Sequence, residues 1–406
     1  MGDNKIINRV DLPIHMDDDA AARIEQVAPG IKERAISGDR EGRFPYDDMA
    51  ALKKAGLFAL EVPREEGGLG HNTAQANHVF REIARLNSST AQVFFVHSVG
   101  VRSIPHLASP SQTERYIKAV AEDGARFGVA ASEHGKTVMD WNTKMTRVEG
   151  GYTLAGTKHF CTGHEGSDYI MVFGVLDTAP SLVEGVIICM VKTVQDGVVL
   201  HGDWDAMGQR QTSSGSVTFE NVFVSDENIF GEPGSIMKLE PSLWGPYYQS
   251  AFSALHMGMA QGALDAAVDY ARTKTRPWPS AGVEQASFDP YIQRTVGDLQ
   301  AKVSAGHMMC DYANEAALHI ERGLLDRGEG AVRIAETKVY TTECALDVTS
   351  AVFQVCGARA TYRKNGIDRF YRSARTMTLH DPVDWKRQEI GNYLLNDTPP
   401  MPTFYS

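Results

Sequence analysis

Residues 156–172, Gly-Thr-Lys-His-Phe-Cys-Thr-Gly-His-Glu-Gly-Ser-Asp-Tyr-Ile-Met-Val, place the tightest constraint on how the chain folds. Apolar and polar residues alternate on either side of a small hydroxyl residue, Thr162, which a glycine follows. Alternation is the period of a half-buried strand, and Thr-Gly is turn chemistry, so the stretch reads as strand, bend, strand. The bend presents a hydroxyl and backbone amides beside the aromatic Phe160, which suits a flat heteroaromatic ligand. Thr-Gly in isolation is only a turn, so the rest of the chain must supply the context.

With 406 residues, 43% of them hydrophobic, the chain can bury a substantial core in two or three domains. Charged residues make up 22% and no long low-complexity run interrupts them, which excludes disorder as the default. A net charge of −11 without a basic stripe disfavours nucleic acid and acidic membrane surfaces as partners. Cys161, Cys189, Cys310, Cys344 and Cys356 are scattered, odd in number and without a CxxC pair, so they read as core residues of a reducing compartment. No metal site is expected. The opening Met-Gly-Asp-Asn-Lys lacks an apolar h-region and no later run approaches membrane-spanning length, so the expectation is a soluble, cytoplasmic protein.

The pattern divides in three: a helical domain over 1–125, a β-barrel-like domain over 126–235, and a helical bundle with an oligomer interface over 236–406. Helices are expected over Asp17–Ser37, over Tyr46–Ala55 and over Thr90–Pro105, the last carrying His97. A histidine on an apolar helix reads either as a core residue bonded to a carbonyl or as a titratable imidazole facing a cleft. Thr146–Leu154 reads as a hairpin turning at Gly150-Gly151, with further strands over Ile170–Val175, Val186–Val191 and Ser216–Val224. Long helices return over Ala251–Lys274, Pro290–Arg322 and Gly330–Val355, the first rich in the small residues that close helix packing needs.

Several tracts together resemble the acyl-CoA dehydrogenase superfamily. They are Phe44-Pro45 through Gly56-Leu57, Val62-Pro63-Arg64-Glu65-Glu66-Gly67-Gly68-Leu69-Gly70, and Lys158-His159-Phe160-Cys161-Thr162 with its lead-in at Gly151 to Gly156. The resemblance implies an α+β, mostly helical fold: N-terminal helical domain, central β-domain, C-terminal four-helix bundle. It places Thr162 at the reactive edge of a flavin ring, Ser132 of Ala131-Ser132-Glu133-His134 as a second flavin hydroxyl, and Phe160 and Trp204 against the ring.

Two reaction classes share that fold, and the differences from the family pattern separate them. Where the common dehydrogenase branches carry a base glutamate, the chain reads Leu379-His380-Asp381-Pro382, and aspartate is one methylene shorter. Lys274-Thr275-Arg276-Pro277-Trp278 and Gln354-Val355-Cys356-Gly357-Ala358-Arg359 replace the segments that serve FAD. Arginine forks bind phosphate bidentately, so Arg276 and Arg359 read as a clamp for the single phosphate of FMN, or as surface arginines.

These features are similar to the reduced-flavin monooxygenases of the dibenzothiophene monooxygenase type. That resemblance implies FMNH2 delivered by a separate flavin reductase, reaction with O2 to a C4a-(hydro)peroxyflavin, and oxygenation of a small substrate, an organosulfur compound by family analogy. It also implies a homotetramer, with His97 and His380 handling the proton and peroxide and Thr162 stabilising the adduct. The alternatives are an FAD-dependent acyl-CoA dehydrogenase and a catalytically silent, oligomeric flavin-binding protein.

Overall fold

The computed structural model describes residues 14–135, 140–238, 243–403 and 405. Residues 136–139 of the Gly135 to Trp141 loop therefore lie outside the described residues.

Five helices come first: α1 (Asp18–Glu41), α2 (Tyr46–Lys54), α3 (Thr73–Leu86), α4 (Ser88–Leu107) and α5 (Pro110–Asp123). Local chemistry fixes their ends. Asp17 caps α1 by accepting from the Ala20 N–H, and the helix stops at Gly42 with φ 66°. Reciprocal capping boxes start α3 (Asn72 with Gln75) and α5 (Ser109 with Gln112). Between α2 and α3 the Pro63 to Gly70 tract turns sharply and packs Leu57, Leu60 and Val62 inward. Helix α4 is buried along nearly its whole length, which is why its sequence is apolar all round.

The middle of the chain is one eight-stranded sheet. Its strands are β1 (Phe127–Ala130), β2 (Lys144–Val148), β3 (Gly151–Lys158), β4 (Tyr169–Leu176), β5 (Val186–Lys192), β6 (Val198–Leu200), β7 (Val217–Ser225) and β8 (Ile229–Phe230). The hydrogen-bonded order is β6-β7-β3-β2-β4-β5-β8, with β1 pairing parallel to β4. The path does not return on itself among the described residues, so the expected barrel-like unit is an open sheet. A register shift in β3 falls between Leu154 and Gly156. Gly156 sits at φ 145°, and a Cβ there would meet the Thr143 backbone at 2.5 Å, so only glycine fits this crossing.

Short helices α6 (Leu182–Gly185) and α7 (Ser235–Lys238) flank the end of the sheet. The bundle follows: α8 (Trp244–Thr273), α9 (Pro290–Glu321), α10 (Arg327–Cys356), α11 (Asp368–Met377) and α12 (Val383–Asn396). Helices α8, α9 and α10 pack on one another through Ala260, Ala263, Leu264, Val303, Val348 and Val352, and α3 packs on α8. All five cysteines are buried and unbridged. No helix among the described residues is long and apolar enough to cross a membrane.

Candidate active site

A cavity of about 600 Å³ opens where the sheet meets the start of α8 and the end of α11. Its sheet side is built from Val129, Ala131, Ser132, Phe160, Thr162, Trp204 and Ser214, its helical side from Gln92, Val96, Trp244, Tyr248, Phe252, Met377, Leu379 and His380. Tyr405 also lines it.

The bend after β3 adopts an unusual conformation. Phe160 takes φ 55° and leaves its side chain 58% exposed, an orientation a β-bend does not ask of a phenylalanine. The bend is zipped to the 209–215 loop by backbone bonds from Cys161 N–H to Gly215 C=O and from Gly163 N–H to Thr212 C=O, each 3.0 Å. Trp204 stands edge-on to Phe160 with centroids 6.2 Å apart. The loop is rigid for its own reasons: Gln209 takes φ 51°, Gly208 lies so close to α11 that a Cβ would meet the Arg372 carbonyl at 2.0 Å, and Arg372 bonds the Met207 carbonyl and Asp39.

A chain of hydroxyls crosses this seam, and its polarity follows from Thr212 donating to the Gln209 carbonyl. The Gln209 carbonyl can only accept, and it receives both the Trp204 Nε1–H and the Thr212 hydroxyl, each at 2.9 Å. Each hydroxyl has one proton. Ser214 must therefore donate to Thr212 (2.7 Å), and Thr162 must donate to Ser214 (2.8 Å). Thr162 then meets any ligand in the cavity as an acceptor.

Two buried carboxylates lie beside the cavity, and both are committed. Glu133 pairs with Lys158 at 2.7 Å, the side chains being 4% and 0% exposed, and accepts the Thr143 N–H at 3.0 Å. Burial pulls Lys158 down to about 8 against the pull of Glu133. Lys158 also donates to the Ala131 carbonyl and lies 4.2 Å over the Trp141 ring. Asp381 pairs with Lys338 at 3.2 Å and accepts from Gln249 at 3.2 Å. Burial works against its charge, yet Lys338 and His380 hold its carboxyl well below the usual carboxylate range. His380 turns Nδ1 towards Asp381 at 3.2 Å, with the Phe252 ring 4.5 Å away. That contact makes Nδ1 the donor and leaves Nε2 with its lone pair.

Of the residues singled out from sequence, the structure brings Ser132, Phe160, Thr162, Trp204 and His380 to one cavity. His97 is not among them. It is wholly buried, its Nε2–H donating to the Phe58 carbonyl (2.9 Å) and its Nδ1 accepting the Phe127 N–H (3.1 Å). Burial drives its pKa down to about 3, so it is a neutral cross-brace between α4 and β1, and the expectation of a proton-handling His97 is corrected.

Arg276 and Arg359 are exposed beyond the C-terminal end of α8, where Arg359 donates to the Lys274 carbonyl at 2.6 Å. The cavity touches only the start of α8, and a helix rises about 1.5 Å per residue, so Thr273 lies roughly 30 Å along the axis from Phe252. Neither arginine lines the cavity of its own chain. Gln209, Ser214, Tyr248, Phe252 and Tyr405 were not anticipated; the Gln209 to Ser216 run offered the one signal, a cluster of hydroxyl and amide residues ahead of a strand.

Family models for the acyl-CoA dehydrogenase N-terminal, middle and C-terminal domains match residues 21–123, 127–222 and 250–385. The dibenzothiophene monooxygenase of Mycolicibacterium goodii is 38% identical over 91% of this chain and 92% of its own. A probable FMNH2-dependent monooxygenase of Pseudomonas putida, SfnC, is 32% identical over 95% of this chain and 97% of its own. Among solved structures, FMN-bound TdsC from Paenibacillus sp. A11-2 superposes with a TM-score of 0.90 at 34% identity, covering 96% of this chain and 100% of that one.

Proposed function

Because the chain belongs to the acyl-CoA dehydrogenase family, and to its dibenzothiophene monooxygenase side, we propose that it is an FMNH2-dependent monooxygenase that oxygenates a neutral, aromatic organosulfur compound. Bound FMNH2 supplies the two electrons with which O2 is divided, one atom going to the substrate and the other leaving as water.

The observation that carries this reading is the hydroxyl chain ending at Thr162. A reduced flavin offers an N–H at N5, an oxidised one a lone pair, and Thr162 is left with a lone pair to give. Phe160 and Trp204 supply apolar aromatic neighbours for the ring, and Ser132 a second hydroxyl beside it. Trp244, Tyr248, Phe252, Met377 and Leu379 exclude water from the space in front of it. His380, oriented by Asp381, takes up a proton at Nε2 and returns it, so that the proton balance of oxygen cleavage is kept inside the cavity.

The same geometry argues against thioester oxidation. Proton abstraction needs a free carboxylate within reach, and Glu133 and Asp381 are both held by buried lysines. The substrate class follows from the walls. Among the described lining residues there is no lysine or arginine, so a sulfinate anion would lack a permanent counter-charge. A neutral sulfur heterocycle instead meets the rings of Trp244, Tyr248 and Phe252. We infer that Arg276 and Arg359 serve a flavin phosphate held by a neighbouring copy of the chain, a reading that the exposure of both supports and that the expected homotetramer would satisfy. A flavin reductase is the partner that delivers FMNH2.

The test is turnover of the purified chain with FMNH2 from a flavin reductase, O2, and either dibenzothiophene or methanesulfinate. Oxygenation of the heterocycle with the sulfinate left untouched is expected. Sulfinate turnover with an inert heterocycle would overturn the substrate class, and hydrogen peroxide as the sole product would overturn the monooxygenase.

A further inference from the structure

We propose that the stacked imidazoles of His134 and His159 form a seat for the phosphate of the bound flavin at the rim of the cavity. The proposal rests on the flavin reading above and deepens it by giving this chain's own residues a grip on the end of the cofactor away from the ring.

The two rings lie face to face, 3.6 Å apart and 4° from parallel. His134 follows Ser132 and Glu133, which line the cavity, and stands edge-on to Phe160 with centroids 5.7 Å apart. Behind the pair a relay fixes the protonation pattern. Asp203 accepts the Ser216 N–H and the Ser216 hydroxyl, both at 2.7 Å. The Ser216 oxygen is thereby an acceptor, and His159 Nδ1–H donates to it at 2.8 Å. Nε2 is then the nitrogen at which His159 gains a proton, and the Asp203 carboxylate supports that gain through Ser216.

Two imidazolium rings in van der Waals contact repel each other unless an anion lies against both. The groups that act on His159 are His134 on its face, Asp203 behind Ser216, Glu133 and His201. Burial and His134 hold it below its ordinary value when no anion is present. Glu133 is spent on Lys158, and no lysine or arginine is among the described residues lining the cavity. A phosphate dianion beside the stack favours protonation of the pair by solvent and accepts a charge-assisted bond from each ring.

The experiment compares FMN with riboflavin, which lacks only the phosphate, by flavin-fluorescence quenching on the full chain. His134 is exposed, so His134→Asn is expected to fold normally, and His159→Asn is the second variant. Each is expected to weaken FMN about tenfold while riboflavin stays within about twofold. In the unsubstituted chain the preference for FMN over riboflavin should shrink as the pH is raised and His159 loses its proton. Inorganic phosphate should compete with FMN and not with riboflavin. Equal weakening of both flavins, or none, overturns the seat and leaves the monooxygenase standing. Failure of the unsubstituted chain to bind either flavin, oxidised or reduced, overturns the flavin reading itself.

Discussion

The Thr162 hydroxyl donates to the Ser214 oxygen across 2.8 Å, and this one bond decides what the cavity asks of its ligand. The donor must be Thr162 because Ser214 spends its own proton on Thr212, and Thr212 spends its proton on the Gln209 carbonyl. A backbone carbonyl in a loop with left-handed Gln209 thus reaches through three hydroxyls to the cavity.

Ser214→Ala cuts the chain and frees the Thr162 proton to meet an oxidised flavin. The preference for reduced over oxidised FMN is expected to fall about tenfold, which lowers the midpoint potential of the bound two-electron couple by about 30 mV. Anaerobic titration of both redox forms measures it, and an unchanged ratio would show that Thr162 is free to turn.

His380→Asn keeps a donor for Asp381 but removes the nitrogen that takes up a proton. Oxygenation is expected to drop about 10²–10⁴-fold, with flavin affinity within about twofold. Measured side by side, turnover and flavin binding separate this role from a structural one.

Much of this was legible in the sequence, for identifiable reasons. The strand-bend-strand over 156–172 shows itself because its alternation and its Thr-Gly are local signals, and the structure returns it as β3, the bend and β4. The long helices α8, α9 and α10 show themselves through period and caps. His97 misled because an apolar helix looks the same whether its histidine faces a cleft or a neighbouring strand; the Phe58 carbonyl and Phe127 amide that occupy it come from 39 and 30 residues away. Gln209 is not legible in the sequence because its role belongs to its backbone carbonyl, which no side-chain pattern reveals. The pinning of Asp381 by Lys338 joins residues 43 apart.

Acid stability should report on His97. Its folded value is about 3 against an ordinary 6.5, so as pH falls the unfolded chain takes the proton first. The stabilisation is whole above about pH 6.5 and is lost progressively towards about pH 3, by roughly 4–5 kcal/mol. Urea midpoints across that range should show the slope, and His97→Gln should flatten it while lowering stability at neutral pH.

Lys158→Met strands the Glu133 carboxylate without its partner. A loss of about 3–5 kcal/mol is expected, and the double change Lys158→Met with Glu133→Gln should recover part of it. Urea unfolding of the two single variants and the double variant closes that cycle.

The central claim is that the cavity passes an oxygen atom from O2 to a sulfur, and one labelling experiment reaches it directly. The full chain, FMNH2 and dibenzothiophene are mixed with ¹⁸O2 in unlabelled water, and the product is weighed by mass spectrometry. A sulfoxide or sulfone carrying ¹⁸O is the predicted result. Unlabelled oxygen in the product, or unchanged dibenzothiophene beside hydrogen peroxide equal to the flavin oxidised, would contradict the account.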